Sequence, residues 1–217
     1  MKKIGIMGGT FNPIHNGHLF LAENAYDQIG LDQILFMPSK NPPHKAKPEM
    51  ITDQQRVDMI NLAIQDNSHF TLSTVEMERD GYTYTADTLT LLSKLNQEVR
   101  YYFIVGADSL FMMHQWHQPQ VIFDLCTVVA ATRDHVDGTK LTAQAELLKE
   151  QFHADIQLIS MPTIQIASAD IRSRVAQNKT IRYYLPDQVA RYISQHRLYH
   201  INPICYQNAA NLDDNTN

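Results

Sequence analysis

Short apolar runs alternate with amphipathic stretches along most of the chain, and this alternation restricts the fold more than any other feature of the sequence. The apolar runs predict strands over Lys3–Met7, Gln33–Pro38, Phe70–Thr74, Tyr101–Val105, Thr127–Ala131 and Ile156–Ser160. The amphipathic stretches predict helices over Gly17–Ile29, Thr52–Gln65, Thr85–Leu95, Ser109–Met113, Gln118–Phe123, Thr142–Gln151, Ala169–Asn178 and Pro186–His196. Repetition of strand and helix is typical of an α/β fold, a parallel sheet with helices on both faces. Ligands of such sheets bind at the carboxyl ends of the strands, so functional residues are expected in the loops that follow.

Size and composition exclude several classes of protein. The chain has 217 residues, 44% apolar and 19% charged, which is typical of an ordinary globular domain. A formal net charge of −5 counts against a nucleic-acid partner, which requires a basic face. The longest apolar stretch, Val121–Ala131, contains Asp124 and is too short to span a membrane. The two cysteines are far apart and the start lacks a signal peptide, so we expect a cytoplasmic protein without a membrane partner.

The first predicted strand leads into the string GGTFNPIHNGH, residues 8–18, which carries the strongest chemical signal. Its two glycines allow a tight turn and a close approach to a ligand, but they fit neither the dinucleotide fingerprint nor the P-loop. With a helix beginning near Asn16 or Gly17, His15 and His18 lie about one turn apart at its positive end, where imidazole and backbone N–H groups suit a phosphate. The alternatives are a capping turn with two surface histidines and a weak zinc pair; zinc is disfavoured because no third ligand is evident.

Two further segments follow the second predicted strand. The Pro- and Lys-rich stretch Ser39–Glu49 predicts an exposed loop, in which the string PPHK presents the cations of His44 and Lys45 from a stiff turn. A solvated basic loop explains the string equally well. The string RVDM that begins at Arg56 is, by itself, only part of an amphipathic helix.

Later loops carry hydroxyl, acidic and aromatic residues. After a turn at Asp80–Gly81, Thr85 is predicted to cap a helix, which requires no function. The string GADSL, residues 106–110, follows a buried strand, and Trp116 comes shortly after it. An exposed indole face would stack on a pyridinium ring, although a lone tryptophan is usually part of a core. In the string IASADIR, residues 166–172, a strand exit leads to Ser168 as a helix cap and to Arg172, and this arrangement would hold a triphosphate.

Together and in this order, these segments resemble the nucleotidyltransferase superfamily with the H-x-G-H motif, and within it the bacterial nicotinate-nucleotide adenylyltransferases. The string at residues 76–89, EMERDGYTYTADTL, is similar to the family's E-x-x-R-x-G-x-S-Y-T-x-D-T-L, and GADSL with Trp116 is similar to its G-x-D-S-L…W. The sequence departs from the family pattern at Asn12, Ala167 and Ala169. The resemblance covers Lys2 to Tyr199. It implies one Rossmann-like domain over residues 1–200, followed by a polar, loose tail over residues 201–217.

The resemblance also implies a reaction: transfer of AMP from ATP to nicotinate mononucleotide, giving nicotinate adenine dinucleotide and pyrophosphate. The residues it implies for catalysis are His15, His18 and Arg172. Those for ATP are Gly8, Gly9, Thr10, Phe11, Gly17, Gly106, Asp108, Ser168 and Ile171. Those for the mononucleotide are His44, Lys45, Thr85 and Trp116. Mg²⁺ would arrive with ATP, without a dedicated protein site.

Several alternatives stay open at this point. The acceptor could be nicotinamide mononucleotide or phosphopantetheine, the donor could be CTP, or the chain could be a nucleotide-binding sensor without catalysis. Thr85 and Trp116 favour the nicotinate acceptor, and intact His15, His18 and Arg172 favour an enzyme. The sequence does not determine the oligomeric state, and a homo-oligomer is compatible with it.

Overall fold

The computed structural model of the chain describes residues 1–40, 51–132 and 135–200, with the backbone alone for residues 135–137. The strands are β1 Lys2–Gly9, β2 Gln33–Pro38, β3 Phe70–Leu72, β4 Val99–Val105, β5 Cys126–Thr132 and β6 Ile156–Ser160. The helices are α1 Asn16–Ile29, α2 Asp53–Ile64, α3 Thr85–Leu95, α4 Ala107–Met112, α5 Pro119–Leu125, α6 His135–Phe152, α7 Ser168–Ala176 and α8 Asp187–Gln195, with a 3-10 turn over Met113–Gln115.

The strands form one sheet in the order β3-β2-β1-β4-β5-β6, and each neighbouring pair is parallel. The predicted α/β fold is therefore confirmed. The chain moves outward from β1 to β3 on one side and from β4 to β6 on the other, so the order reverses between β1 and β4. Such a reversal opens a crevice at the carboxyl ends of the two central strands.

Alternating side chains of the strands build a core on each face of the sheet. In β1, Ile6 belongs to one core and Met7 to the other, as expected because successive side chains of a strand point to opposite faces. The core on the Met7 side includes buried residues of α1, α2, α7 and α8, and the core on the Ile6 side includes buried residues of α3, α4, α5 and α6. The helices thus cover both faces of the sheet, as is typical of a parallel sheet.

Element boundaries show where local patterns are insufficient. Helix α6 begins at His135. The sequence predicts a start seven residues later, at Thr142, because the polar stretch around Gly138 lacks apolar periodicity. The apolar stretch Val121–Ala131 divides into the end of α5 and most of β5 with no residue between them. Helix α1 ends at Ile29, as predicted: Gly30, the C-cap, has φ 65°, and its N–H donates to the Tyr26 carbonyl. None of the helices described is long and apolar enough to cross a membrane.

Candidate active site

The loop after β1 places two histidine rings against each other. His15 is the N-cap of α1 and His18 is its third residue, so α1 begins at Asn16, as predicted. The His15 backbone N–H donates to Nδ1 of His18 at 3.2 Å, and the ring centroids are 3.6 Å apart at an interplanar angle of 24°. Because Nδ1 of His18 accepts a hydrogen bond, Nε2 carries the proton of the neutral ring and is a donor.

Burial controls the charge of His15. Its side chain is only 6% exposed, and this desolvation lowers the pKa of the imidazole to about 4. His15 is therefore neutral at pH 7. Its Nδ1 atom has no hydrogen-bond partner among the residues that the structure describes. A Cβ atom on Gly17 would lie 3.1 Å from that nitrogen, so the absent side chain leaves space for the ring.

Two of the residues implied for ATP are buried. Phe11, with φ 48°, is 2% exposed, and its ring meets the His18 ring edge-on at 5.0 Å between centroids. Ile171 is fully buried in the core. The Phe11 ring packs against His18. Because both side chains are buried, any contact of Phe11 or Ile171 with ATP would come from the backbone.

Helix α7 is bound to the same loop from a distant part of the chain. Nη1 of Arg172 donates to the Asn12 carbonyl at 2.7 Å, and Oγ of Ser168 donates to the Pro13 carbonyl at 2.8 Å. The prediction that Ser168 caps the helix is wrong: Ala167 is the N-cap, and the Ser168 hydroxyl holds Pro13 instead. These contacts bring Ser168 and Arg172 to the loop that carries both histidines.

Tyr199 also reaches this loop, and sequence reasoning missed it. Its hydroxyl donates to Oδ1 of Asn12 at 2.8 Å, and burial raises the pKa of the phenol. Asn12, which is 3% exposed, is thereby held by Tyr199 through its side chain and by Arg172 through its carbonyl. No local pattern in the sequence marks Tyr199, because its partner is 187 residues away.

A cavity of about 460 Å³ opens at the carboxyl ends of β1 and β4. Of the residues implied by the resemblance, it is lined by Gly8, Gly9, Thr10, Thr85, Asp108 and Trp116. Gly106 is the N-cap of α4, next to this lining. The histidine pair and Arg172 do not line this cavity. The remaining two, His44 and Lys45, fall outside the described residues.

The cavity has an aromatic wall and the start of a helix. Trp116 is half-buried and meets the Phe103 ring edge-on at 6.1 Å between centroids. Thr85 is the first residue of α3, and its predicted role as the cap is wrong, because Tyr84 is the N-cap. The backbone N–H groups of a first helical turn have no partners within the helix, so this wall suits an anionic group.

An acidic side chain also lines the cavity, and sequence reasoning gave it no role. Glu76 is 9% exposed, and Oγ1 of Thr88 donates to its Oε1 at 2.8 Å. Arg79 donates to the same Thr88 oxygen at 3.2 Å and to Oδ2 of Asp87 at 3.1 Å. Burial raises the pKa of the Glu76 carboxyl above its usual range.

Comparison with known proteins places the chain in a family. The family model described as cytidylyltransferase-like matches residues 6–174. A nicotinate-nucleotide adenylyltransferase of Lachnoclostridium phytofermentans is 45% identical over 199 residues, which are 92% of this chain and 100% of that protein. One of Thermoanaerobacter sp. is 39% identical over 198 residues, which are 91% of this chain and 94% of that protein. This chain belongs to the nicotinate-nucleotide adenylyltransferase family.

Solved structures support the fold of this family member. The nicotinic acid mononucleotide adenylyltransferase of Plasmodium falciparum, complexed with NaAD, matches with a TM-score of 0.77 and 20% identity, over 93% of this chain and 99% of that chain. The same protein complexed with APC matches with a TM-score of 0.75. The predicted Rossmann-like fold is therefore confirmed independently of the strand order. Within the part of the chain that the structure describes, no group of three or more acidic, histidine or cysteine side chains could hold a metal ion.

Proposed function

We propose that this chain transfers the adenylyl group of ATP to nicotinate mononucleotide and releases pyrophosphate, a step in the biosynthesis of NAD. The observation that carries the proposal is the juxtaposition, at one end of the sheet, of the stacked His15–His18 pair with the cavity that Thr85 and Trp116 line. The pair supplies donors for ATP phosphates, and the cavity supplies a place for a pyridine ring. Membership of the family supports the same reaction.

The chemistry needs alignment rather than a general base. The acceptor is a phosphate monoester with a second pKa of about 6, so it is already a dianion for the most part at pH 7. One of its oxygens attacks the α-phosphorus of ATP, a P–O bond forms, and the bond to the bridging oxygen of pyrophosphate breaks. The protein must hold two anions in line and stabilise the charge that develops on the transferred group.

The residues at the loop after β1 are suited to that task. In the proposed roles, His18 donates from Nε2 to the α-phosphoryl group, and the neutral His15 donates beside it. Arg172 and the backbone N–H of Ser168, whose hydroxyl proton is donated to Pro13, hold the departing pyrophosphate at the start of α7, where the helix dipole also favours an anion. Arg172 donates one N–H group to the Asn12 carbonyl, and its remaining N–H groups can donate to the phosphates.

Mg²⁺ enters the proposal as part of the ATP substrate. This ion is usually held by substrate phosphates and water with one or two carboxylates, rather than by a cage of protein ligands. The donor set around the loop is made of N–H and hydroxyl groups, which fit the phosphate oxygens of the Mg²⁺–ATP complex. We also propose that the chain works in the cytoplasm, which its two widely separated cysteines support.

The test is pyrophosphate release from ATP or CTP with a panel of acceptors: nicotinate mononucleotide, nicotinamide mononucleotide and phosphopantetheine. We expect turnover with ATP and nicotinate mononucleotide. His18→Ala should lower kcat by about 10²–10³-fold, which is the usual effect of removing one donor to a developing charge. His196→Ala is the matched control, because His196 is exposed at the end of α8.

Two results would contradict the proposal. Binding of ATP without pyrophosphate release in the presence of any acceptor would indicate a sensor. A folded His18→Ala variant with nearly normal kcat would remove His18 from the mechanism. Circular dichroism of the same samples distinguishes a catalytic loss from unfolding.

A further inference from the structure

Arg56 is a fully buried charged side chain. It lies in the first part of α2 and is 0% exposed, on the same buried stripe as Met59 and Ile60. Arginine stays protonated in proteins, so this position holds a permanent positive charge that the mechanism above does not use.

Four N–H groups of the guanidinium have partners. Nη1 donates to the Thr10 carbonyl at 2.8 Å and to the Ser39 carbonyl at 2.8 Å. Nη2 donates to Oδ1 of Asp53 at 2.6 Å and points at the Met77 sulfur at 3.8 Å. One nitrogen atom therefore joins two carbonyl groups from different loops.

The carbonyls of Thr10 and Ser39 lie just past the carboxyl ends of the paired strands β1 and β2. Strands β1 and β2 are paired up to Gly9 and Pro38, and the Ser39 N–H still donates to the Gly9 carbonyl at 2.9 Å. Beyond that bond, the Arg56 guanidinium links the Thr10 carbonyl to the Ser39 carbonyl. Both residues line the cavity at the ends of β1 and β4.

We propose that Arg56 is a positioning residue, which fixes the loop that binds ATP relative to the side of the cavity that receives the mononucleotide. Thr10 begins the segment that leads to His15 and His18, and Ser39 lines the cavity together with Thr85 and Trp116. A change in the distance between Thr10 and Ser39 would therefore move the donors of one substrate relative to the site of the other. This inference rests on the proposed adenylyl transfer.

The side chain must be arginine for this role. Lysine ends one bond short of Nη1, so its ammonium group reaches the two carbonyls only if they move towards it. Arg56→Lys thus keeps a buried charge and most of the side-chain volume, and it changes mainly the position of the two loops. Misplacement by about 1 Å can lower a rate by about 10²-fold, because in-line attack depends on alignment.

The experiment compares Arg56→Lys with Arg100→Lys, the same substitution at an exposed ion pair with Asp155 near the opposite end of the sheet. Steady-state rates are measured for both substrates, and kcat is normalised to the folded fraction from circular dichroism at the assay temperature. We expect Arg56→Lys to lower kcat by about 10²-fold while both KM values change less than about threefold. Arg100→Lys should match the unsubstituted protein.

A second variant separates the carbonyl bonds from the ion pair. Asp53→Asn keeps Arg56 and both of its bonds to Thr10 and Ser39, so kcat should stay within about threefold of normal. An equal loss of kcat in Asp53→Asn and Arg56→Lys would overturn the proposal. So would an Arg56→Lys protein with normal kcat, one whose loss equals its unfolded fraction, or one that does not fold at any temperature. Absence of turnover in the unsubstituted protein would instead refute the proposed function.

Discussion

At the level of single residues, Gly17 and His15 form one unit. Alanine at position 17 would place its Cβ 3.1 Å from Nδ1 of His15 and 3.6 Å from the Ile166 carbonyl, so the His15 ring would have to shift by a few tenths of an ångström. The backbone of Gly17 is helical, and alanine is favoured over glycine in a helix by about 0.5–1 kcal/mol. Activity and stability should therefore respond differently to this substitution.

We predict that Gly17→Ala lowers kcat by roughly 10–10²-fold, because the His15–His18 pair loses its alignment. The melting temperature should change little, since the gain in helix propensity offsets the tighter packing. Gly138→Ala is a matched control, because Gly138 lies in α6 and a Cβ there would meet no atom within 4 Å. Normal kcat in a folded Gly17→Ala protein would contradict the prediction.

The buried His15 should also make stability depend on pH. Burial lowers its pKa from 6.5 to about 4 in the folded protein, so between these values the unfolded chain binds a proton that the folded protein does not. The free energy of unfolding should therefore fall as the pH drops from 6.5 to 4, by about 3 kcal/mol from this residue. Urea unfolding at a series of pH values measures this slope.

His15→Asn removes the titrating group and keeps a residue that caps helices well. The fall in unfolding free energy towards acid pH should become shallower by about the amount assigned to His15. If the slopes of the two proteins were the same, His15 would not be the group that loses a proton on folding.

At the level of elements, α7 joins a late segment of the chain to the loop after β1. Ser168 and Arg172 bind the carbonyls of Pro13 and Asn12, and the phosphates of ATP would lie at the start of this helix in the proposed complex. Substitutions on the loop-facing side of α7 should therefore affect ATP much more than the mononucleotide.

We predict that Arg172→Ala lowers kcat/KM for ATP by roughly 10–10²-fold, because a hydrogen bond to a charged group contributes about 1.5–3 kcal/mol. Arg174→Ala is the control on the same helix, since Arg174 donates to the Thr180 carbonyl and lies over the Tyr184 ring. Initial rates at varied ATP and fixed mononucleotide give the comparison. A loss confined to the mononucleotide would refute the role given to Arg172.

At the level of the whole molecule, we expect the cavity at the ends of β1 and β4 to determine which acceptor is used. Trp116 offers a ring for stacking, and the start of α3 at Thr85 offers backbone N–H groups for a carboxylate. Stacking holds the acid and the amide alike, so discrimination must come from the contacts of the carboxylate.

We predict that kcat/KM is roughly 10²–10³-fold higher for nicotinate mononucleotide than for nicotinamide mononucleotide. Trp116→Ala should lower both values by a similar factor and leave their ratio unchanged. Parallel assays with the two acceptors measure this ratio. Equal kcat/KM values would overturn the choice of acceptor and leave adenylyl transfer itself standing.

Sequence alone predicted the features that depend on local physics. The alternation of apolar runs and amphipathic stretches predicted the α/β fold, because side-chain periodicity follows directly from strand and helix geometry. The string at residues 8–18 predicted a helix beginning near Asn16 or Gly17 with His15 and His18 about one turn apart, and α1 begins at Asn16. Resemblance to a family added the reaction and most of the residues of the proposed site.

The tertiary structure decided everything that depends on contacts between distant segments. Local patterns missed that Arg56 binds the carbonyls of Thr10 and Ser39, that Tyr199 holds Asn12, and that Ser168 binds Pro13 instead of capping α7. The helical spacing of Arg56, Met59 and Ile60 indicates that the arginine is buried, but this spacing does not identify the groups that the arginine binds. Those partners depend on the order in which the strands pair, and placing β1 between β2 and β4 brings the loops of the site together. The order of strands is a property of the whole core, so short stretches of sequence do not specify it.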